Sequence, residues 1–486
     1  MGDEVDNGAV MKHGRGPLTF LTRSFITMHQ STILTTRTST PRASLAALGL
    51  KLQRLNLFAP IREQVHIQQK TVRHTPADKL YDALIAILTG AHGLVEVNTR
   101  LRGDRALQAA FGRSACAEQS VIQQTLDACD ATTVTQMRQA LTTIYRRHSR
   151  GFGHNYQAAW QLLDVDMMGL PCGPKAAFAT QAYFAKQRNR RGRQVGRVLA
   201  THYGELVVDE VFAGTTQLTG ALQSLVEAAA ATLDLDAESR ARTIVRVDAG
   251  GGSLGDVNWL LAQGYQILVK EYSGKRATKL AGSVTTWVED PRVPGRQVGW
   301  VTAAASEYEC PVVRVAVRCQ KKSGQWAHGV LITTVDPGAA VEMAGMAPEQ
   351  ATNATALLLA YVSAYDQRGG GIETANKDDK QGVGLGKRNK KRFEAQQMVV
   401  WLGTLAHNIL VWAREWLAES VPQVARFGHK RLVRDLLQIN GVVERDATGQ
   451  IVKIVLNQAH YYARRFVGAL QALVAPANIA VSLGET

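Results

Sequence analysis

Cysteine is scarce and scattered. The five cysteines, at positions 116, 129, 172, 310 and 319, form no Cys-x-x-Cys pair, which argues against a zinc ribbon or a disulfide framework. Reduced thiols in a cytoplasm are expected. No apolar run reaches the 18 residues that would suggest a membrane span. Met1–Gly16 is polar and lacks the apolar core of a secretory signal, so a loose tail and a cytoplasmic location are expected. No heptad seam suggests a coiled coil. Acidic side chains are outnumbered, with 41 Asp and Glu against 56 Lys and Arg, which gives a net charge of +15. A chain this basic is expected to meet a polyanion, with nucleic acid first and a membrane surface second. The rest is ordinary: 486 residues, 45% hydrophobic and 20% charged, suffice for a sizeable core in more than one domain.

Residues 1–43 are expected to form a loose arm rich in Thr, Ser and Arg. Residues 44–158 read as helical. Ser44 can cap a first helix carrying Leu45, Leu48, Leu52 and Leu55, and Thr75 followed by Pro76 starts another that Gly90 can end. Further helices are expected from Ser120 and over Val134–Tyr145. The cluster Arg100, Arg102 and Arg105 leaves two readings level: a helix-turn-helix DNA reader, or a plain bundle with solvated arginines.

Near Trp160 the period changes to that of a strand. Asp164 and Asp166 then share one face, and apolar neighbours argue against their full exposure. Two such carboxylates repel unless a cation lies between them. The basic run Phe184–Arg197 holds Lys186, Arg188, Arg190, Arg191, Arg193 and Arg197. It reads either as a solvated run or as a phosphate-binding segment, and a hairpin over Gly204 follows. After a helix in Thr216–Leu233, Thr243–Val247 reads as a buried strand ending in Asp248 and a glycine turn. A second strand, Tyr265–Lys270, lies beyond a helix. Asp248 is either a turn-forming Asp or a carboxylate at the chemically useful end of a strand.

Residues 273–335 are β-rich and punctuated by turns, as in a small antiparallel insertion. A helical segment follows, and then Tyr365-Asp-Gln-Arg-Gly-Gly-Gly-Ile-Glu-Thr-Ala-Asn-Lys-Asp-Asp-Lys380, before a long amphipathic helix through Met398, Leu402, Leu405, Ile409 and Trp412. The C-terminal part is expected to hold a hairpin over Asp446–Gly449, a helix over His460–Leu473 and a loose tail. His429, Lys430 and Arg431 read as DNA contacts or as surface cover, with the second favoured.

Asp166, Asp248 and Glu373, spaced along strand, hairpin, helix, strand, helix, strand, β insertion and helix, resemble the ribonuclease-H-like fold of DDE transposases. More narrowly, Tyr365-x2-Arg368-x4-Glu373-x6-Lys380 resembles the third block of bacterial insertion-sequence transposases with a Tyr-Arg-Glu-Lys signature. That group commonly places three residues between Arg and Glu; here there are four, three of them Gly369, Gly370 and Gly371. The resemblance implies an α/β protein with a ribonuclease-H-like catalytic core interrupted by an antiparallel β insertion, and an α-helical N-terminal DNA-binding region. The implied parts are an arm (1–43), a DNA-binding region (44–158), core (159–272), insertion (273–345), core with the Glu helix (346–420) and a C-terminal region (421–486). Asp166, Asp248 and Glu373 would be catalytic and hold two Mg²⁺ ions, with Mn²⁺ able to substitute; Asp164 is the alternative first ligand. Tyr365, Arg368 and Lys380 would grip phosphates of double-stranded DNA, joined by Arg190, Arg191 and Arg193. A homodimer holding two transposon ends is implied, in a bacterial cytoplasm and away from any membrane. The rival readings are a related metal-dependent nuclease and a catalytically inactive, domesticated DNA-binding protein.

Overall fold

The structure is a computed structural model that describes residues 35–70, 73–181, 184 and 190–485. Most of the N-terminal arm, together with Lys186 and Arg188 of the basic run, lies outside the described residues. In chain order the strands are β1 (Thr36–Thr40), β2 (Gln161–Pro171), β3 (Thr180–Gln181), β4 (Arg191–Ala200), β5 (Glu205–Ala213), β6 (Thr243–Val247) and β7 (Gln266–Lys270). They continue with β8 (Val288–Glu289), β9 (Arg296–Trp300), β10 (Val313–Gln320), β11 (Trp326–Thr333), β12 (Gly441–Arg445), β13 (Ile451–Asn457) and β14 (Ala480–Gly484).

Among the described residues the main sheet is mixed and has ten strands. At its centre β6 runs parallel to both β2 and β7. On the other side of β2, β4 and β5 form the expected antiparallel hairpin, and Gly204 in its turn takes φ +67°. Parallel pairing needs crossovers, and helix Leu222–Leu233 precedes β6 while Leu254–Ala262 joins β6 to β7. The order strand, hairpin, helix, strand, helix, strand is therefore present. The residues of the insertion are not a separate lobe. β11 pairs antiparallel with β7, so β11, β10, β9 and β8 continue the same sheet.

Alternation along β2 sorts the two faces. Leu163 and Val165 pack with helix Leu222–Leu233 on one side, while Leu162, Asp164 and Asp166 point to the other. On that second side lie helices Ala354–Asp366, Ile372–Gln381 and Phe393–Ala418. The last of these is buried almost along its whole length rather than on a single stripe. Helices Ala43–Arg54, Pro76–Leu88, Gln119–Asp127 and Ala131–His148 pack round it and share one hydrophobic core with the C-terminal elements. The N-terminal helices thus do not form a core of their own.

Local signals held in part. Thr75 caps its helix in a reciprocal box with Asp78, and Pro76 takes the first turn. Ser44 does not cap: it sits inside helix Ala43–Arg54 and donates to the Leu436 carbonyl at 2.7 Å. Two loose ends are also ordered. β1 pairs with β12, and β14 pairs in parallel with β13 beyond the expected C-terminal hairpin, so arm and tail close one four-stranded sheet.

Candidate active site

The parallel register of β2 and β6 sets Asp164 directly opposite Arg246. Their side chains meet in a two-pronged pair, Nε to Oδ1 at 2.7 Å and Nη2 to Oδ2 at 2.9 Å, with both residues fully buried. Arg246 also donates to the Ala364 carbonyl at 2.6 Å. Both oxygens of Asp164 are occupied, so its repulsion from Asp166 is relieved by an arginine. A side chain on residue 371 would come within 2.6 Å of Asp164 Oδ2, which explains the glycine there.

Asp166 and Asp248 are differently placed. Both line an open cleft of about 550 Å³ with Gln181, Gln194, Thr216 and Gln217. Asp166 Oδ1 accepts from the Met167 N–H at 2.9 Å, and Oδ2 accepts from Asn376 Nδ2 at 3.0 Å. Burial pushes the Asp166 carboxyl above its ordinary range; Arg368 opposes this and Asp248 adds to it. Asp248 Oδ1 accepts from the Gly250 N–H at 2.8 Å, so it is both a turn-forming Asp and a carboxylate facing the cleft. The following glycines let the turn reach β7: a Cβ on residue 252 would fall 1.8 Å from the Lys270 carbonyl oxygen.

The third block folds as helix Ala354–Asp366, a turn, and helix Ile372–Gln381. Arg368 is buried at the turn. It donates to the Val165 carbonyl at 2.9 Å, and lies 3.3 Å from Asp166 Oδ1 and 3.7 Å from Glu373 Oε1. Burial works against its charge, but Asp166 and Asp248 outweigh it and raise its pKa. Arg368 is therefore the counter-charge of the carboxylates and not an outward-facing phosphate grip. Glu373 stays 64% exposed, is not among the residues lining the cleft, and is tied only loosely to Arg368. Tyr365 lies in a neighbouring hollow with Lys270, Arg296 and His328, and burial followed by Asp248 pushes its hydroxyl to about 12, against Arg368. Lys380 lies further along the Glu373 helix; burial and then Arg197 lower its pKa, while Asp166 opposes.

The basic run divides. Arg190 and Arg191 are exposed at the start of β4. Arg193 is fully buried and donates to the carbonyls of Ala177, Lys390 and Lys391 at 2.7–2.9 Å. It fastens a loop and is turned inward, away from any DNA, which corrects the reading of this residue. Arg197, four residues further along the same face, enters a second polar cluster. Its guanidinium bonds Asp209 (2.7 and 2.8 Å), Asp379 (2.6 Å) and Asn376 Oδ1 (2.9 Å). His407 Nδ1 lies 2.8 Å from Asp379, and its Nε2 lies 2.9 Å from the Gly204 carbonyl.

Asn376 and the cleft glutamines escaped the sequence reading. Asn376 lies one turn after Glu373, so helical spacing alone could have placed it beside that residue. In the cleft the donor set is all oxygen, with neither His nor Cys among the described lining residues, and it fits a hard divalent cation such as Mg²⁺. The Asp379, His407 and His429 cluster lies outside that cleft.

No protein-family model matches the chain, and no curated protein matches it in sequence. Among solved structures, the chain is similar to that of piggyBac transposase in a synaptic complex with hairpin DNA, with a TM-score of 0.43 and 14% identity over 83% of this chain and 82% of that one. A likeness this low establishes no family.

Proposed function

We propose that this chain is a DNA transposase with a ribonuclease-H-like core that cleaves phosphodiester bonds and transfers DNA strands with the help of divalent metal. The observation that carries the reading is the cleft itself. Asp166 on β2 and Asp248 at the end of the adjacent parallel strand β6 open onto one space, beside the helix that bears Glu373 and Lys380. Carboxylates on neighbouring strands that face a common opening, in a chain of net charge +15, suit a polyanionic substrate.

Asp166, Asp248 and Glu373 would hold the metal, and Mg²⁺ or Mn²⁺ bound there would activate a water or 3′-hydroxyl and stabilise the leaving oxygen. The chain's own residues do the rest. Asn376 and the Met167 N–H orient Asp166, and the Gly250 N–H orients Asp248. Arg368 neutralises the carboxylates. The exposed Glu373, linked to Asp166 through Arg368, would turn towards a cation held by the two aspartates with little rearrangement of the core. Lys380, Arg190 and Arg191 would meet the phosphate backbone as charges. Two chains holding two transposon ends complete the reading.

The test is Mg²⁺-dependent cleavage of DNA carrying the ends that flank the gene, run beside Glu373→Gln. Cleavage by the wild type and none by the variant is expected. Cleavage by both would place the third carboxylate elsewhere. Binding without cleavage by either would make the chain a DNA-binding protein without this activity.

A further inference from the structure

The carboxylate cleft and the buried charge cluster touch at one side chain, Asn376. Its Oδ1 lies 2.9 Å from Arg197 Nη1, and its Nδ2 lies 3.0 Å from Asp166 Oδ2. An asparagine amide can be turned either way round, but Arg197 has only N–H donors. The amide oxygen must therefore face Arg197, and the amide N–H₂ must face Asp166. Arg197 cannot turn away, because Asp209 grips it from β5 and Asp379 from the Asn376 helix itself. Asn376 and Asp379 stand three residues apart on helix Ile372–Gln381, so one guanidinium fixes both.

Asp166 meets this amide with its rotamer already half set. The Met167 N–H holds Oδ1, and Asn376 holds Oδ2. A neutral amide donor bonds the carboxylate without competing as a cation for the same oxygens. Arg368 is the looser partner at 3.3 Å and can yield to an incoming ion.

Resting on the metal reading above, we propose that Asn376 is a positioning residue: locked by Arg197, it presents one N–H to Asp166 and holds this carboxylate at the angle from which it shares a divalent cation with Asp248. Removing such an outer partner of a metal ligand typically lowers metal affinity by about 10- to 100-fold.

The experiment is Mn²⁺ binding to the full chain, read from the loss of the free-ion EPR signal, with no DNA required. Asn376→Leu keeps the size of the side chain and removes both bonds. Thr404→Val serves as the comparison, because it cuts a bond at the far end of the same cluster (Oγ1 to Asp209, 2.6 Å). Asp248→Asn identifies the site. Asn376→Leu is expected to weaken Mn²⁺ binding about 10-fold or more, while Thr404→Val leaves it within about twofold. Asn376→Asp puts a second carboxylate against Asp166. It restores neither the donor nor its orientation, and is expected to leave the free-Mn²⁺ midpoint shifted. Wild-type affinity in Asn376→Leu would overturn the inference and leave the metal site standing. An equal fall in Thr404→Val would also overturn it, by showing that general loosening is the cause. Absence of any wild-type binding that Asp248→Asn removes would overturn the metal reading and this inference together.

Discussion

Two groups of charged side chains occupy one face of the same sheet, and they use their carboxylates in opposite ways. In the buried cluster every carboxylate is saturated. Asp209 takes Arg197 on both oxygens and the Thr404 hydroxyl as well, and Asp379 takes Arg197 and His407. The two His407 nitrogens face the Asp379 carboxylate and the Gly204 carbonyl. Asp164 and Arg246 form a second closed pair. In the cleft, by contrast, Asp166 and Asp248 have one firm backbone donor each, and their nearest cation is a guanidinium at 3.3 Å from one of them. Carboxylates with matched partners build the fold, and carboxylates left with spare acceptor capacity at an opening are where chemistry has room.

The largest break in that contrast comes from Arg197→Met. The substitution leaves Asp209 buried without its guanidinium and removes one of the two close partners of Asp379. Removing one partner of a buried pair costs about 3–5 kcal/mol. Urea unfolding should show a loss of that size, and Asp209→Asn in the same background should recover part of it. A change below about 1 kcal/mol would mean that water or rearrangement relieves the cluster, and that it is not the closed network described.

A carboxylate between the two extremes sharpens the comparison. Glu210 sits on β5 and pairs at 2.8 Å with Arg138, a half-exposed arginine of helix Ala131–His148. Burial raises its pKa to about 7; Arg138 opposes this and Asp209 adds to it. The folded value lies above the unfolded one, so the protonated form favours folding. At low pH both states carry the proton. As pH rises towards 7 only the unfolded chain ionises, which draws the equilibrium towards unfolding; above 7 the penalty is constant. Stability should therefore fall by on the order of 2–3 kcal/mol from about pH 4.5 to 7 through this group. Glu210→Gln should flatten that part of the profile in urea titrations at a series of pH values. An unchanged profile would show that Arg138 neutralises Glu210 in full.

The sequence carried the parts of this fold that rest on local pattern. Buried strands bounded by glycine, the hairpin over Gly204 and the Thr75 cap all follow from period and turn chemistry. The close approach at Gly252 and Gly371 was visible only as a run of glycines. What the sequence hid was partnership across long separations. Arg193 and Arg197 read as a solvated or phosphate-binding run because charge clusters usually are; nothing local announces that Lys390, Lys391 and Asp379 wait opposite them. Asp164 and Asp166 are indistinguishable by alternation, and only the register of β2 against β6 hands Arg246 to one and leaves the other at the cleft. β1 and β14 were equally invisible, since each is a short polar or mixed segment whose strand exists through a neighbour far away in the chain.

The finest test asks whether the closed cluster and the open cleft are separable at all. Thr404 donates its hydroxyl to Asp209 Oδ2 at 2.6 Å, on the side of Arg197 away from Asn376. Thr404→Val keeps the shape and removes one donor to a buried carboxylate, which costs about 1–2 kcal/mol. Arg197 still holds Asp209 by two bonds and Asn376 by one, so the strain should end at β5. Thermal unfolding should fall by a few degrees, while DNA cleavage measured well below the new midpoint stays at the wild-type rate. If cleavage falls with stability, the two groups are one mechanical unit, and the cleft owes its geometry to the whole cluster rather than to Asn376.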